Sequence, residues 1–276
     1  MARKLKLYIL NLQDIFHIFK IVPFRDFYSF FFTFYLQDRQ KLIRIGIRPL
    51  NYKRVCIRRG SIIDRDVIKY VFYNQYHMPL SPLRPEAFIL DLGSNIGLTL
   101  LHFKETYPHS NVLGYEMDKS NFEVALSNTR GLEGCSLYNL AVWKESAIVK
   151  YDADDYEDAF SVIAASDNSE LGKTSIKAAE AVTIDSIIEH HKLTKIDYLK
   201  MDIEGAEKDI LLGTPCEWLS IVQQLNIEIH DHNFCNEITK FLEDRGFRCS
   251  KDRVHSCLVR ATREKLDHAA DDKLFD

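Results

Sequence analysis

"FILDLGSNIGLTLLHF", residues 88–103, runs as a short apolar segment, stops at Asp91, crosses a turn holding Gly93 and Gly97, and restarts as a helical pattern. A strand-to-helix turn needs glycine for its backbone freedom. It has no structural need for a carboxylate at its mouth, so the rest of the chain must explain Asp91.

Outward from this stretch the same alternation repeats. "AFILDL" leads into "GLTLLHFKETY", "NVLGYEM" into "SNFEVALSNTR", and "CSLYNLAVW" follows as a third strand. An acid-rich excursion with short strands spans 144–178, then the helix "VTIDSIIEHH" precedes strand "IDYLKMDI" and helix "GAEKDILLGT". Strand "IVQQLNIEIH", helix "NEITKFLEDRG" and a hairpin in "FRCSKDRVHSCLVRA" close the series. Strands alternating with helices predict an α/β fold with a doubly wound, mostly parallel sheet, to which the hairpin adds an antiparallel edge. Ligands of such sheets sit at the carboxyl ends of the strands. Four predicted strands end there on acids: Asp91, Glu116, Asp202 and Glu228. Like charges repel, so four acids on one rim imply a ligand.

A glycine-rich turn entering a helix can cradle a pyrophosphate. Here the GxGxxG spacing is absent, and a phosphate would be repelled by Asp91. The acid suits a cationic ligand, and S-adenosylmethionine offers an ammonium and a sulfonium with no phosphate. Glu116, about one strand-helix unit later, stands where an acid accepts ribose hydroxyls.

Together, "ILDLGSNIGLT", "GYEMDKSNFEVALSN", "AVTIDSI", "IDYLKMDIEGAEKDILLGT" and "LNIEIH" resemble the FkbM-like family of S-adenosylmethionine-dependent methyltransferases, over roughly residues 55–245. The resemblance implies a class I, Rossmann-like methyltransferase fold with a seven-stranded sheet. It also implies O-methylation of a sugar, glycan or natural-product hydroxyl. By position it assigns Asp91, Gly93, Ser94, Asn95 and Gly97 to the methionine-side loop, Glu116 to the ribose, and Met117, Ala141 and Val142 to the adenine. Ser161, in the acidic excursion, is placed within reach of the cofactor. A sugar hydroxyl is a poor nucleophile at neutral pH, so a nearby base should help. Asp202 is the first candidate, with Glu204 and Glu228 behind it.

Glu228, His230 and His232 alternate, which on an extended strand points them to one side. With Asp231 and Cys235 close by, a metal-assisted variant of the reaction stays open, although no metal is assigned. A nicotinamide oxidoreductase and a non-catalytic binding subunit are the competing readings.

The 276 residues carry a net charge of −4 that hides an asymmetry. Residues 1–60 hold 13 Lys/Arg against 3 Asp/Glu, and the remainder 23 against 37. An acidic bulk argues for a small-molecule or glycan acceptor and against nucleic acid. Residues 1–50 read as a basic, aromatic-rich helical extension and 51–85 as a strand-helix cap ending in the proline-rich "PLSPLRP". Residues 86–262 read as the catalytic domain and 263–276 as a polar tail. The six cysteines form no CxxC pair and no secretory signal stands out, so a cytoplasmic protein is expected. A membrane or partner contact through residues 1–40 is the added expectation. The sequence says nothing of oligomeric state.

Overall fold

The alternation beyond Pro85 becomes a seven-stranded sheet in the computed structural model, which describes residues 12–32, 41–152, 163–164, 176–252 and 257–263. The chain opens with helices α1 (Leu12–Ile21) and α2 (Phe24–Phe32), strands β1 (Leu42–Ile47) and β2 (Lys53–Arg58), and helix α3 (Ile62–Lys69). Next come β3 (Phe88–Leu92), α4 (Leu98–Thr106), β4 (Asn111–Tyr115), α5 (Lys119–Thr129) and β5 (Cys135–Tyr138). Four further strands follow: β6 (Ala141–Val142), β7 (Ala147–Asp152), β8 (Ile163–Ala164) and β9 (Ile176–Val182). The series ends with α6 (Ile184–His191), β10 (Ile196–Met201), α7 (Glu207–Leu211), β11 (Val222–Glu228), α8 (Cys235–Glu243), β12 (Phe247–Lys251) and β13 (Leu258–Arg263).

The main sheet has the order β12-β13-β11-β10-β3-β4-β5. Strands β11, β10, β3, β4 and β5 are parallel, while β13 is antiparallel to both β11 and β12. This is the seven-stranded, mostly parallel sheet with an antiparallel edge hairpin that the resemblance implies. The chain winds outward from β3 to β5 and returns to β10 on the other side. That reversal opens a crevice above the carboxyl ends of β3 and β10. Strand β10 is buried at all six positions, as a central parallel strand must be. Its register sets Lys200 opposite Asp91.

Local sequence explains the helix boundaries. Ser61 caps α3 by accepting from the Asp64 amide at 3.1 Å. Asp118 caps α5 through the Ser120 and Asn121 amides, and Thr183 with Ser186 forms a capping box on α6.

Two expectations change. The stretch 1–50 is not helical throughout: "LIRIGI" is β1, paired antiparallel with β2 across the expected boundary at residue 50. "CSLYNLAVW" is two strands, because β6 leaves the main sheet and joins a second sheet of order β6-β9-β7-β8. Asn139 makes the break by donating to the carbonyls of Glu116 and Met117 at 2.8 and 3.0 Å.

The N-terminal elements share one core with the catalytic helices. Ile18, Ile21, Val22 and Phe30 pack with Ile45 and Ile47 of the hairpin and with Leu98, Leu101 and Val124 of α4 and α5. The proline-rich stretch is also tied down: Ser81 and Gln224 exchange two hydrogen bonds at 3.2 Å, and Arg84 forks onto Asp197.

Candidate active site

Asp91 ends β3 with 0% exposure and lines neither of the two cavities at the sheet's rim. Its cation is internal. Lys200 Nζ stands 3.2 Å from Asp91 Oδ1 and 3.4 Å from Asp202 Oδ2, and donates to the Gly93 carbonyl at 2.8 Å. The Thr99 hydroxyl donates to Asp91 Oδ2. Burial pushes the Asp91 carboxyl up, with Lys200 and Thr99 opposing. Burial would lower the Lys200 ammonium, but Asp91 and Asp202 outweigh it and the net direction is up. Asp91, expected to face the donor's ammonium, lies beneath the cavities, where it pairs with the lysine that ties β3 to β10.

Gly93 has a related reason. At φ +82° it bends the chain, and a Cβ there would lie 1.7 Å from the Asp202 carbonyl oxygen. Its bareness lets β10 pass, whatever ligand sits above. Gly97 likewise makes room for Ala125 of α5 and lies away from both cavities.

The first cavity, about 610 Å³, lies over β3, β4 and β6. Glu116 lines it, with Oε2 accepting from the Asn95 amide and Oε1 from the Asp118 amide, each at 2.8 Å. Burial pushes this carboxyl up to about 7, against those two hydrogen bonds. Asn95, at φ +47°, holds the turn that aims its amide at Glu116. Met117, Ala141 and Val142 form an apolar slot beside it, and Asp202 and Glu204 close the far side. Three acids and no Lys or Arg line this cavity among the described residues. A fixed carboxylate for a diol, a slot for a flat ring and acids for a cation fit S-adenosylmethionine. They do not fit a dinucleotide, whose phosphates would meet only like charge.

The second cavity, about 700 Å³, lies over β10 and β11 and shares Gly93, Asn95 and Asp202 with the first. Ser94, Lys200 and Glu228 line it, with Tyr70 and Tyr76 on the wall supplied by the segment after α3. That segment is one π-helical turn, Tyr70–Asn74, ended by Gln75 at φ +54°. Burial and the neighbouring Asp202 push the half-buried Glu228 carboxyl up to about 7. Glu204 is also raised, by burial first.

The structure thus brings Gly93, Ser94, Asn95, Glu116, Met117, Ala141, Val142, Asp202, Glu204 and Glu228 to the cavities, and leaves Asp91 and Gly97 beneath them. Ser161 lies outside the described residues. His230 faces Glu204 and Asp202, at 3.2 and 3.7 Å, but His232 is exposed. Strand β11 stops at Glu228, and Asp231 starts a new turn by accepting from the Asn233 amide. Sequence reasoning missed Lys200, Asn121 and Trp143. The signal for Lys200 was a lone cation near the carboxyl end of a central strand.

The model of the methyltransferase FkbM domain matches residues 91–249. Methyltransferase sdnD of Sordaria araneosa is 25% identical over 235 residues, covering 74% of this chain and 88% of its own. Methyltransferase 1 of Beauveria bassiana is 25% identical over 193 residues, covering 63% of this chain and 77% of its own. A segment of the AMB antimetabolite synthetase AmbE of Pseudomonas aeruginosa is also 25% identical, over 54% of this chain and 9% of that one. The family match spans more than half of the residues and takes in Asp91, Glu116, Asp202 and Glu228, so this chain belongs to the FkbM family of S-adenosylmethionine-dependent methyltransferases.

Proposed function

We propose that this methyltransferase acts on a hydroxyl of a small natural-product or sugar acceptor, with Glu228 as the base. The observation that carries the reading is the meeting of two cavities at Gly93, Asn95 and Asp202, with Glu228 in the second only. S-adenosylmethionine supplies an electrophilic methyl group. Glu116 would hold the ribose, Met117, Ala141 and Val142 would hold the adenine, and Asp202 with Glu204 would face the sulfonium. The acceptor enters the second cavity, where Tyr70 and Tyr76 can stack on it. In-line displacement demands alignment above all. The shared rim supplies it by fixing donor and acceptor on either side of one carboxylate.

Glu228 takes the base role because it lines the second cavity and not the first, on the acceptor's side of the shared rim. With its carboxyl near pH 7, Glu228 can accept the hydroxyl proton at neutral pH. The lone ammonium of this cavity, Lys200, is satisfied by two acids, which disfavours nucleic acid and other phosphate-rich acceptors. The antimetabolite synthetase among the relatives favours a natural product.

Calorimetry tests the donor half. The protein is expected to bind S-adenosylmethionine and adenosylhomocysteine and to ignore NAD, with Glu116→Ala weakening the former at least tenfold. NAD binding would reverse the reading. Label transfer from the donor to hydroxyl-bearing extract fractions, read by mass spectrometry, tests the acceptor half.

We also infer a peripheral membrane contact through the N-terminal helices. Phe24 and Phe16 are 76% and 58% exposed, and Phe19 joins them on the surface beside Lys20 and Arg25. Exposed rings flanked by cations suit an anionic bilayer surface. Among the described residues no helix is long and apolar enough to cross a membrane. Flotation with phosphatidylserine vesicles is expected to recover the protein, and Phe16→Ser/Phe24→Ser to lose most of it. Equal recovery of both would end this idea.

A further inference from the structure

Glu207 is 1% exposed and lines neither cavity. It accepts from the Ile203 amide through Oε1 and from the Gly205 amide through Oε2, each at 3.0 Å. Its carboxylate therefore closes the turn in which Glu204 and Gly205 adopt left-handed backbone at φ +55° and +100°. The same Oε1 lies 3.0 Å from His230 Nδ1. On the other side of the ring, Nε2 lies 3.2 Å from Glu204 Oε2 and 3.7 Å from Asp202 Oδ1.

A neutral imidazole carries one donor nitrogen and one acceptor nitrogen. Both nitrogens of His230 meet carboxylate oxygens, so a neutral ring would aim a lone pair at one of them. An imidazolium answers both sides, with Nδ1 in hydrogen-bond reach of Glu207 and Nε2 in ion-pair range of Glu204 and Asp202. We propose that His230 is a positioning residue, an imidazolium hydrogen-bonded to Glu207 and ion-paired with Glu204 and Asp202, that fixes the Asp202–Glu204 turn against the donor site. This rests on the reading of Asp202 and Glu204 as the acids beside the sulfonium.

The surrounding charges make the role necessary. Asp202 and Lys200 face the ring's surroundings from the end of β10, Glu204 and Glu207 from the turn into α7, and Glu228 from β11. Without His230, four carboxylates would share one ammonium that Asp91 also claims. Burial alone would lower the imidazole, but the neighbouring Glu204 and Glu207 carboxyls push it up to about 11. An atom each of Asp202, Glu228 and His230 fall within 4.8 Å of one another, where a bound divalent ion would do the same work. The ring already does it: its two nitrogens are committed to Glu207 and Glu204.

Nitrogen-15 NMR of the histidine-labelled full chain, with adenosylhomocysteine calorimetry from pH 6 to 9, tests the proposal. The wild-type ring is expected to keep both nitrogens protonated across that range, with affinity constant within about threefold. Glu207→Gln removes one of the acids that hold the charge, so the ring should deprotonate within the range. Affinity should then fall about tenfold as pH rises and return at pH 6. A loss in this variant that is the same at every pH would make Glu207 and His230 merely structural and overturn the proposal. So would a singly protonated wild-type ring at pH 7, which is decisive even if the variant fails to fold. Stoichiometric binding of magnesium or zinc, abolished in His230→Ala, would also overturn it. Wild-type protein that binds no adenosylhomocysteine would sink the donor-site reading and the positioning role with it, even if the ring proves doubly protonated.

Discussion

Glu228→Gln is expected to cut turnover by about 10²–10⁴-fold, the range that a positioned base contributes, while leaving donor affinity within a fewfold. The amide keeps the shape and cannot take the proton. The pH profile gives the sharper readout. A base with its carboxyl near 7 is protonated and idle below that pH. Wild-type kcat/KM on the acceptor found by label transfer should therefore rise through pH 7 and level off above it. The variant should lose that limb and keep a low, flat rate. A profile that survives the substitution would return the role to Asp202, whose own Asp202→Asn variant would then carry the larger loss.

Lys200→Met should cost stability on a scale unusual for one side chain. Lys200 is buried, and removal leaves Asp91, fully buried, with only Thr99 among the described residues to answer its charge. Breaking a buried pair by deleting one partner costs about 3–5 kcal/mol. A chain this size would melt roughly 6–20 °C lower. The sign of the pH dependence follows. Without Lys200 the folded carboxyl lies still further above its unfolded value, so the penalty is full at neutral pH and shrinks as pH falls and Asp91 takes up a proton. Asp91→Leu combined with Lys200→Met removes both charges and should recover most of the loss. Scanning calorimetry at pH 5 and 7.5 on the wild type and the two variants decides this.

Three of the four strand-end acids, Glu116, Asp202 and Glu228, line the cavities, and their places were legible because a strand's end can be read locally: an apolar run stops and a turn or helix starts. Lys200 was not. "IDYLKM" marks a buried strand, but the lysine's partner is set by the register of β10 against β3, which lie more than a hundred residues apart in sequence. Glu207 was quoted within "MDIEGAE" yet looked like one more helical acid, since its bonds to the preceding turn appear only when the chain folds back. His232 was misplaced for the opposite reason. Alternation holds only while a strand continues, and this one ends at Glu228, before the turn that Asp231 starts. The strand β1 was hidden by its short length after an aromatic-rich stretch, and it stands only through pairing with β2.

The reversed strand β13 sits between β11 and β12, and Arg263 within it donates to the Val222 carbonyl at 3.0 Å. During synthesis, then, everything from residue 88 to 251 leaves the ribosome before the piece that stitches β12 to its neighbours. Until β13 arrives, the outer side of β11 is a bare edge open to strangers. A product cut short before Leu258 would resemble a garment missing its last seam, a ready client for chaperones and proteases.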